Sequence, residues 1–286
     1  MFGKIADLHI HSFYSDGTMS PEEILEKAIN RNIGLLAITD HDMLDGSIEL
    51  VKLCENKNIQ CISGVEIDAI HNGLNYHILA YGVNLNDEVF SNFIKQNRIL
   101  LEKVNITLIE KMSKDYQNIS LEDYLYYTYD RKLGGWKTLH YLIEKGIAKD
   151  VFEGLQLYDK YETPHSCVEF PSIKLITDYI HKAGGKAVLA HPGKVIPTND
   201  MDIFKEDLLE VIDFGIDGIE CYYPAHTEDI TRICIEVCED KNLLITCGSD
   251  CHGEFQSTEI GQMNIPIEKL NLNGLYSSSI KPAYSS

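Results

Sequence analysis

From residue 4 to about residue 82, short apolar runs alternate with amphipathic stretches, and this pattern most narrows the folds open to the chain. Strands over 4–9, 35–39 and 59–67 alternate with helices over 21–32 and 44–56. A β-α-β-α-β order implies parallel strands joined by right-handed crossovers. Ser20-Pro21-Glu22-Glu23 marks the first helix with an N-cap, a proline at the first helical position and acids in the first turn. A further strand over 75–82 follows a turn at Asn72-Gly73. Between about 86 and 163 the pattern changes to long polar-amphipathic helices over 89–114, 121–129, 135–146 and 151–158, with no strong strand among them. After Pro171 the alternation resumes, with helices over 173–183, 203–214 and 226–241 and strands over 185–190, 218–221 and 243–249. A short element over 265–272 and a loose tail over 277–286 end the chain. The expected organisation is a barrel domain made of 1–85 and 164–276, with a helical insertion at 86–163 placed as a cap. About seven strands fit a closed or nearly closed (β/α) barrel better than an open doubly wound sheet, and in such barrels chemistry sits at the C-terminal ends of strands.

Composition removes several alternatives. At 286 residues, 44% hydrophobic and 24% charged, the chain can bury a large core and is neither disordered nor collagen-like. It has no apolar segment approaching ~18 residues and no secretory leader pattern, so the expected location is the cytoplasm, with no membrane partner. The eight cysteines include no Cys-x-x-Cys pair and are expected to be reduced and mostly buried. A net charge of −19 argues against an extensive DNA or RNA surface, which normally uses a basic stripe. A small anionic substrate then needs local positive charge, which bound metal ions can supply.

The strand ends supply residues suited to such ions. In Asp7-Leu8-His9-Ile10-His11 the two histidines share one face of a strand, and Asp16 follows. Asp40-His41-Asp42 closes the second strand, Glu66 the third and His77 the fourth. His191, Glu220 with His226, and Asp250 with His252 close the strands of the second half. Nitrogen and carboxylate donors without cysteine favour zinc, manganese or iron, and a cluster of such ions suits hydrolysis. His9, His11, Asp16, His41, Glu66, His77, His191, Asp250 and His252 are too many ligands for one ion. They suit two or three divalent ions with a bridging carboxylate such as Glu66. Glu220 is read as support for the barrel mouth, and His71, His140, His165 and His181, off the strand ends, as structural or surface residues.

The ordered set His9-Ile10-His11-Ser12, Ser15-Asp16-Gly17, Thr39-Asp40-His41-Asp42, Gly64-Val65-Glu66, His77, Ala190-His191-Pro192-Gly193, Gly218-Ile219-Glu220 and Gly248-Ser249-Asp250-Cys251-His252 resembles the successive motifs of the PHP (polymerase and histidinol phosphatase) family. The resemblance implies a distorted seven-stranded (β/α) TIM-like barrel, a trinuclear metal centre and phosphoesterase activity. Carried over by position, it implies one ion on His9, His11, Glu66 and Asp250, a second on Asp16, His41 and His252, and a third on Glu66, His77 and His191. Asp16 and an insert after the fourth strand resemble the nucleotide-phosphatase branch. Gly134-Gly135-Trp136-Lys137 departs from it, standing where an Arg-x-His sequence is expected.

The implied reaction is phosphomonoester hydrolysis by in-line attack of a metal-bound hydroxide. Three divalent ions, three ligand carboxylates and a hydroxide leave about +2, a match for a phosphate dianion. Lys194 is a candidate phosphate contact, and His226 a candidate phosphate contact or proton donor to the leaving oxygen. Asp40, and after it Asp42, are candidates to orient ligand histidines from behind. Trp136, Tyr126, Tyr127 and Tyr129 are candidates to stack on a base. The expected substrate is a small nucleotide: a nucleoside monophosphate, a 3′,5′-bisphosphate or an oligonucleotide end. Histidinol phosphate is the alternative within the same chemistry, and a non-catalytic metal- or phosphate-binding module the alternative outside it.

Overall fold

The computed structural model describes residues 4–55 and 57–275; the tail at 277–286 lies outside them. Strands β1 (Ile5–Asp7), β2 (Ile33–Leu36) and β3 (Gln60–Cys61) are linked by α1 (Pro21–Asn30) and α2 (Asp45–Cys54). They pair in parallel, as the alternation implies. At the start of α1 the Ser20 Oγ accepts the Glu23 N–H while Glu23 Oε2 accepts the Ser20 N–H, a capping box that satisfies two otherwise unpaired donors.

The strand expected over 59–67 divides into two. β3 ends at Cys61, and β4 (Gly64–His71) belongs to a different sheet. β4 and β5 (Leu74–Tyr81) form an antiparallel hairpin whose two-residue turn places Asn72 and Gly73 at φ 49° and 77°. Asn-Gly accepts the left-handed backbone that such a turn requires. The later elements are α3 (Glu88–Met112), α4 (Leu121–Tyr126), α5 (Lys137–Glu144), α6 (Val151–Lys160), α7 (Ile173–Lys182), β6 (Lys186–Leu189), α8 (Pro192–Val195), α9 (Met201–Ile212), β7 (Gly218–Tyr222), α10 (Glu228–Lys241), β8 (Leu244–Cys247) and β9 (Ile265–Pro266).

The nine strands among the described residues make a four-stranded sheet, β3-β2-β1-β9, and a five-stranded sheet, β4-β5-β6-β7-β8. The fold is thus mixed α/β, and its pairing is not one continuous run of parallel strands. β5 is antiparallel to both neighbours, and β9 is antiparallel to β1. Single parallel bridges link the sheets at two places, Ile10 with Cys251 and His41 with Glu66. One apolar cluster draws on both sheets, with Ala6, Leu8, Leu35 and Ala37 against Leu79, Tyr81, Val188 and Leu244.

Helix α3 joins two cores. Phe90 and Ile94 pack with the five-stranded sheet and its helices. Leu108, Ile109 and Met112 pack instead with Tyr124, Tyr141, Leu142 and Leu157 in a cluster formed by the helical segment itself. No described helix is long and apolar enough to cross a membrane. The expectation of eight reduced cysteines fails at one pair: Cys54 at the end of α2 and Cys61 in β3 form a disulfide. The short connection from α2 to β3 brings their Cα atoms to 6.2 Å, within bridging range. Of the other six, five are buried and Cys167 is exposed.

Candidate metal centre

The main chain beyond the strand ends carries the site. Past β1 and β8 the backbones stay in register, the Asp250 N–H donating to the His9 carbonyl at 2.8 Å and the His11 N–H to the Cys251 carbonyl at 3.0 Å. His9 and His11 therefore face Asp250 and His252. The bridge between His41 and Glu66 joins the segment after β2 to the start of β4. Asp42, His191 and Asp250 have φ of 48°, 27° and 51°, a backbone region costly for side-chain-bearing residues and common where function fixes a direction. Gly248 is required here, since a Cβ would collide with His9 Cβ and Glu220 Oε1.

All nine residues expected as ligands converge. Nε2 of His9 lies 3.2 Å from Nε2 of His11, and both lie 3.1 Å from Glu66 Oε2. Asp250 Oδ1 is 3.4 and 3.2 Å from the same two nitrogens. Glu66 Oε1 meets His77 Nδ1 at 2.8 Å and His191 Nε2 at 3.0 Å. On the other side Asp16 Oδ2 is 3.2 Å from His252 Nε2. Three sets have donor atoms close enough to share an ion: His9, His11, Glu66 and Asp250; His11, Asp16, His41 and His252; and His41, Glu66 and His77. The first is the set carried over above. The second adds His11, and the third takes His41 where His191 stood.

Outward-facing groups fix the imidazoles. His9 Nδ1 donates to Glu220 Oε1 at 3.0 Å, which leaves the Nε2 lone pair aimed at the cluster. His252 Nδ1 donates to the Asp250 carbonyl at 2.8 Å. His77 Nε2 lies 3.3 Å from Asp68 Oδ1, and Asn75 contacts both. Such partners are what metal-binding imidazoles require. Burial alone would lower the His9 pKa, but Glu66, Glu220 and Asp250 raise it well above the imidazole range. The same opposition, settled by Asp250, Glu66 and Asp16, pushes His11 up to about 10. Burial takes His41 down to about 3. Burial disfavours the ionised forms of Glu66, Asp16 and Asp250, yet the facing imidazoles hold all three below the usual carboxylate range. A buried set of imidazoles and carboxylates facing one another, with His191 Nδ1 left without a hydrogen bond among the described residues, fits divalent cations of the nitrogen- and oxygen-binding kind.

Above the cluster lies a pocket of ≈ 170 Å³, whose lining includes Glu66, His77, Asp250, Lys194, Trp136 and Phe255. Lys194 Nζ is 3.4 Å from Asp250 Oδ2, so this candidate phosphate contact stands at the site. His226 does not line the pocket. Its Nδ1 donates to the Cys221 carbonyl at 3.0 Å and its Nε2 accepts the Gly193 N–H at 3.2 Å, so both ring nitrogens hold main chain. Asp40 makes no hydrogen bond to a histidine among the described residues; it accepts from the Ser12 N–H and from the Ser12 and Ser15 hydroxyls, fixing the loop after β1. Asp42 accepts from Asn97. Trp136 lies 5.5 Å from the His41 ring, whereas Tyr127 packs within the helical cluster, Tyr129 stacks on His140 and Tyr126 is exposed. Gly134 and Gly135 lie against Phe255, and the Gly135 N–H donates to the Asp16 carbonyl at 2.7 Å.

Glu220 reads from the sequence as support for the barrel mouth, whereas Asp68 and Tyr223 are not singled out there. Glu220 also accepts the His191 N–H through Oε2 at 2.9 Å, tying two candidate ligands to one carboxylate. Asp68 was legible in principle: a two-residue turn at Asn72-Gly73 pairs it with His77 across the hairpin. Tyr223, whose hydroxyl donates to Asp250 Oδ2 at 3.0 Å, gave no comparable signal.

Fold and site define a mixed α/β protein with a buried histidine–carboxylate cluster suited to divalent metal ions. The model of the PHP domain matches residues 7–154, and the chain belongs to that family. A phosphoribosyl 1,2-cyclic phosphate 1,2-diphosphodiesterase from Eggerthella lenta is 27% identical over 263 residues, covering 88% of this chain and 95% of the relative. A 3′,5′-nucleoside bisphosphate phosphatase from Chromobacterium violaceum is 26% identical over 261 residues, covering 86% of each. A crystal structure from Bifidobacterium adolescentis, assigned as a metal-dependent phosphoesterase, superposes with a TM-score of 0.74 at 25% identity over 91% of both chains.

Proposed function

We propose that the chain is a metal-dependent phosphoesterase that removes phosphate from a small nucleotide. The observation that carries the reading is the convergence of nine histidine and carboxylate side chains, Glu66 among them, beneath a pocket that also holds Lys194. Two or three divalent ions are assigned to the three donor sets, His191 completing the set around Glu66. Bound there, such ions neutralise phosphoryl oxygens and lower the pKa of water toward neutrality.

The chain's own residues prepare that chemistry. Glu220, Asp68 and the Asp250 carbonyl keep His9, His77 and His252 aimed inward. Asp40 holds the loop that presents His11 and Asp16. Lys194, beside Asp250, reaches a phosphoryl oxygen as a point charge. Trp136 and Phe255 give the pocket an aromatic lining beside the cluster. We read the two sheets as one distorted barrel with seams at Ile10–Cys251 and His41–Glu66, since side chains from both share a core. Residues 86–163 then form the inserted cap, which reaches the site through Trp136, Leu155 and the Gly135 N–H.

The relatives named above act on phosphoribosyl and nucleoside phosphates, and this supports a nucleotide over histidinol phosphate. Manganese-loaded protein offered nucleoside monophosphates, a nucleoside 3′,5′-bisphosphate and histidinol phosphate tests the order. We expect the highest kcat/KM on a nucleotide. Preferential turnover of histidinol phosphate overturns the substrate, and folded, metal-loaded protein that releases phosphate from none of them overturns the reaction.

A further inference from the structure

Beside the pocket over the cluster lies a second, larger cavity of ≈ 340 Å³, and Trp136 and Leu155 line both. It sits between α3, α6, the β4–β5 hairpin and residues 163–166. Its size is at the lower end of the range for small-molecule sites. Ile70, Leu74, Leu101 and Val104 give aliphatic walls, and Trp136 and Tyr158 contribute rings. The Tyr158 ring is fixed, because its hydroxyl donates to Asn105 Oδ1 at 2.6 Å.

The charge of this lining selects among ligand parts. None of its fifteen residues is Lys or Arg, and its one carboxylate is Asp159, so it disfavours a second phosphate. A flat, neutral ring with polar edges suits it. His165, half-buried on the same wall, makes no side-chain hydrogen bond among the described residues and offers a donor and an acceptor. Asn75 connects this wall to the metal centre through a 3.1 Å contact with His77.

We propose that this cavity holds the nucleobase of a nucleotide whose phosphate lies over the Glu66 cluster; the inference rests on the phosphoesterase reading and extends it to the other half of the substrate. Stacking on aromatic rings tolerates any base, and His165 and Asn75 supply edge contacts.

Trp136 is the chain's single tryptophan, so its fluorescence reports this wall without requiring turnover. Chelator-treated protein is titrated with each of the four nucleosides and, separately, with ribose 5-phosphate. We expect saturable quenching by a nucleoside and little by ribose 5-phosphate. Leu74→Phe enlarges a side chain at a position 39% exposed on the cavity rim and is expected to weaken that binding about tenfold. His165→Ala, which removes a ring with no hydrogen-bonded partner, is expected to weaken it about fivefold and to fold normally. In metal-loaded protein Leu74→Phe should lower kcat/KM for a nucleoside monophosphate more than for ribose 5-phosphate. No saturable quenching by any nucleoside, or equal binding by both folded variants and the parent protein, overturns the base site. Phosphate release from ribose 5-phosphate without nucleoside binding would do so while leaving the phosphoesterase reading intact. Nucleoside binding without phosphate release from any ester would support the cavity and sink that reading instead.

Discussion

Glu220 and His9 form a buried pair in which Oε1 accepts the Nδ1 proton at 3.0 Å, while the second oxygen of the same carboxylate holds the His191 main chain. One carboxylate thus fixes a tautomer and a loop. Glu220→Gln can keep one contact but not both, since an amide offers only one acceptor oxygen. We expect metal affinity to fall about 10–100-fold with the fold retained, measured by competition with a chromogenic chelator. Unchanged affinity would make Glu220 a packing residue.

Lys194 is the cation that Asp250 holds at the pocket. Lys194→Met should raise KM for the phosphate ester several-fold and leave kcat closer to its original value, because a point charge at the pocket edge contributes mainly to ground-state binding. A fall in kcat with KM unchanged would move Lys194 from substrate binding to the chemical step.

The Cys54–Cys61 bridge closes a short loop between α2 and β3. By loop-closure entropy it contributes about 2 kcal/mol, so Cys54→Ser should lower unfolding free energy by that amount in urea titrations under non-reducing conditions. Thiol titration of the denatured parent protein should give six reactive cysteines without reductant and eight with it. Eight in both cases would show the pair reduced.

Asp217 anchors the start of β6, the strand that leads to His191, by accepting from the Ala187 N–H at 2.8 Å and from Lys186 and His181. Burial raises its pKa, but these donors lower it below the ordinary aspartate value. A depressed carboxylate stabilises the fold above its unfolded pKa and loses that contribution as pH falls through the folded value. The stability gap between the parent protein and Asp217→Asn should therefore be present at about pH 5 and close as pH falls below about pH 4. A gap independent of pH would show that the charge contributes nothing.

Local signals carried much of the fold and nearly all of the cluster. Ser20 and Glu23 announced a helix start, and Asn72-Gly73 announced a turn, because each depends on a few adjacent residues; that the turn closes an antiparallel hairpin is seen only in the structure. His9, His11, Asp16, His41, His191, Asp250 and His252 were legible because strand ends gather at one place in an α/β fold; Glu66 and His77 join them from within β4 and β5 rather than from the strand ends expected of them. What was missed depends on register between distant segments. Whether 59–67 is one strand or two is decided by the sheet that Glu66 joins, not by its apolar run. His226 and Asp40 had the right chemistry, but main-chain and serine partners already occupy them. The Cys54–Cys61 bridge depends on where α2 ends relative to β3, which no Cys-x-x-Cys spacing reports.

The central claim is tested most directly by phosphate release from a nucleoside 3′,5′-bisphosphate, using chelator-stripped protein before and after manganese is restored and comparing the parent chain with Asp250→Asn. We expect no release from stripped protein, sustained release after manganese, and a loss of orders of magnitude in Asp250→Asn at unchanged thermal stability. Equal release by stripped and manganese-loaded protein, or full activity in Asp250→Asn, would contradict it.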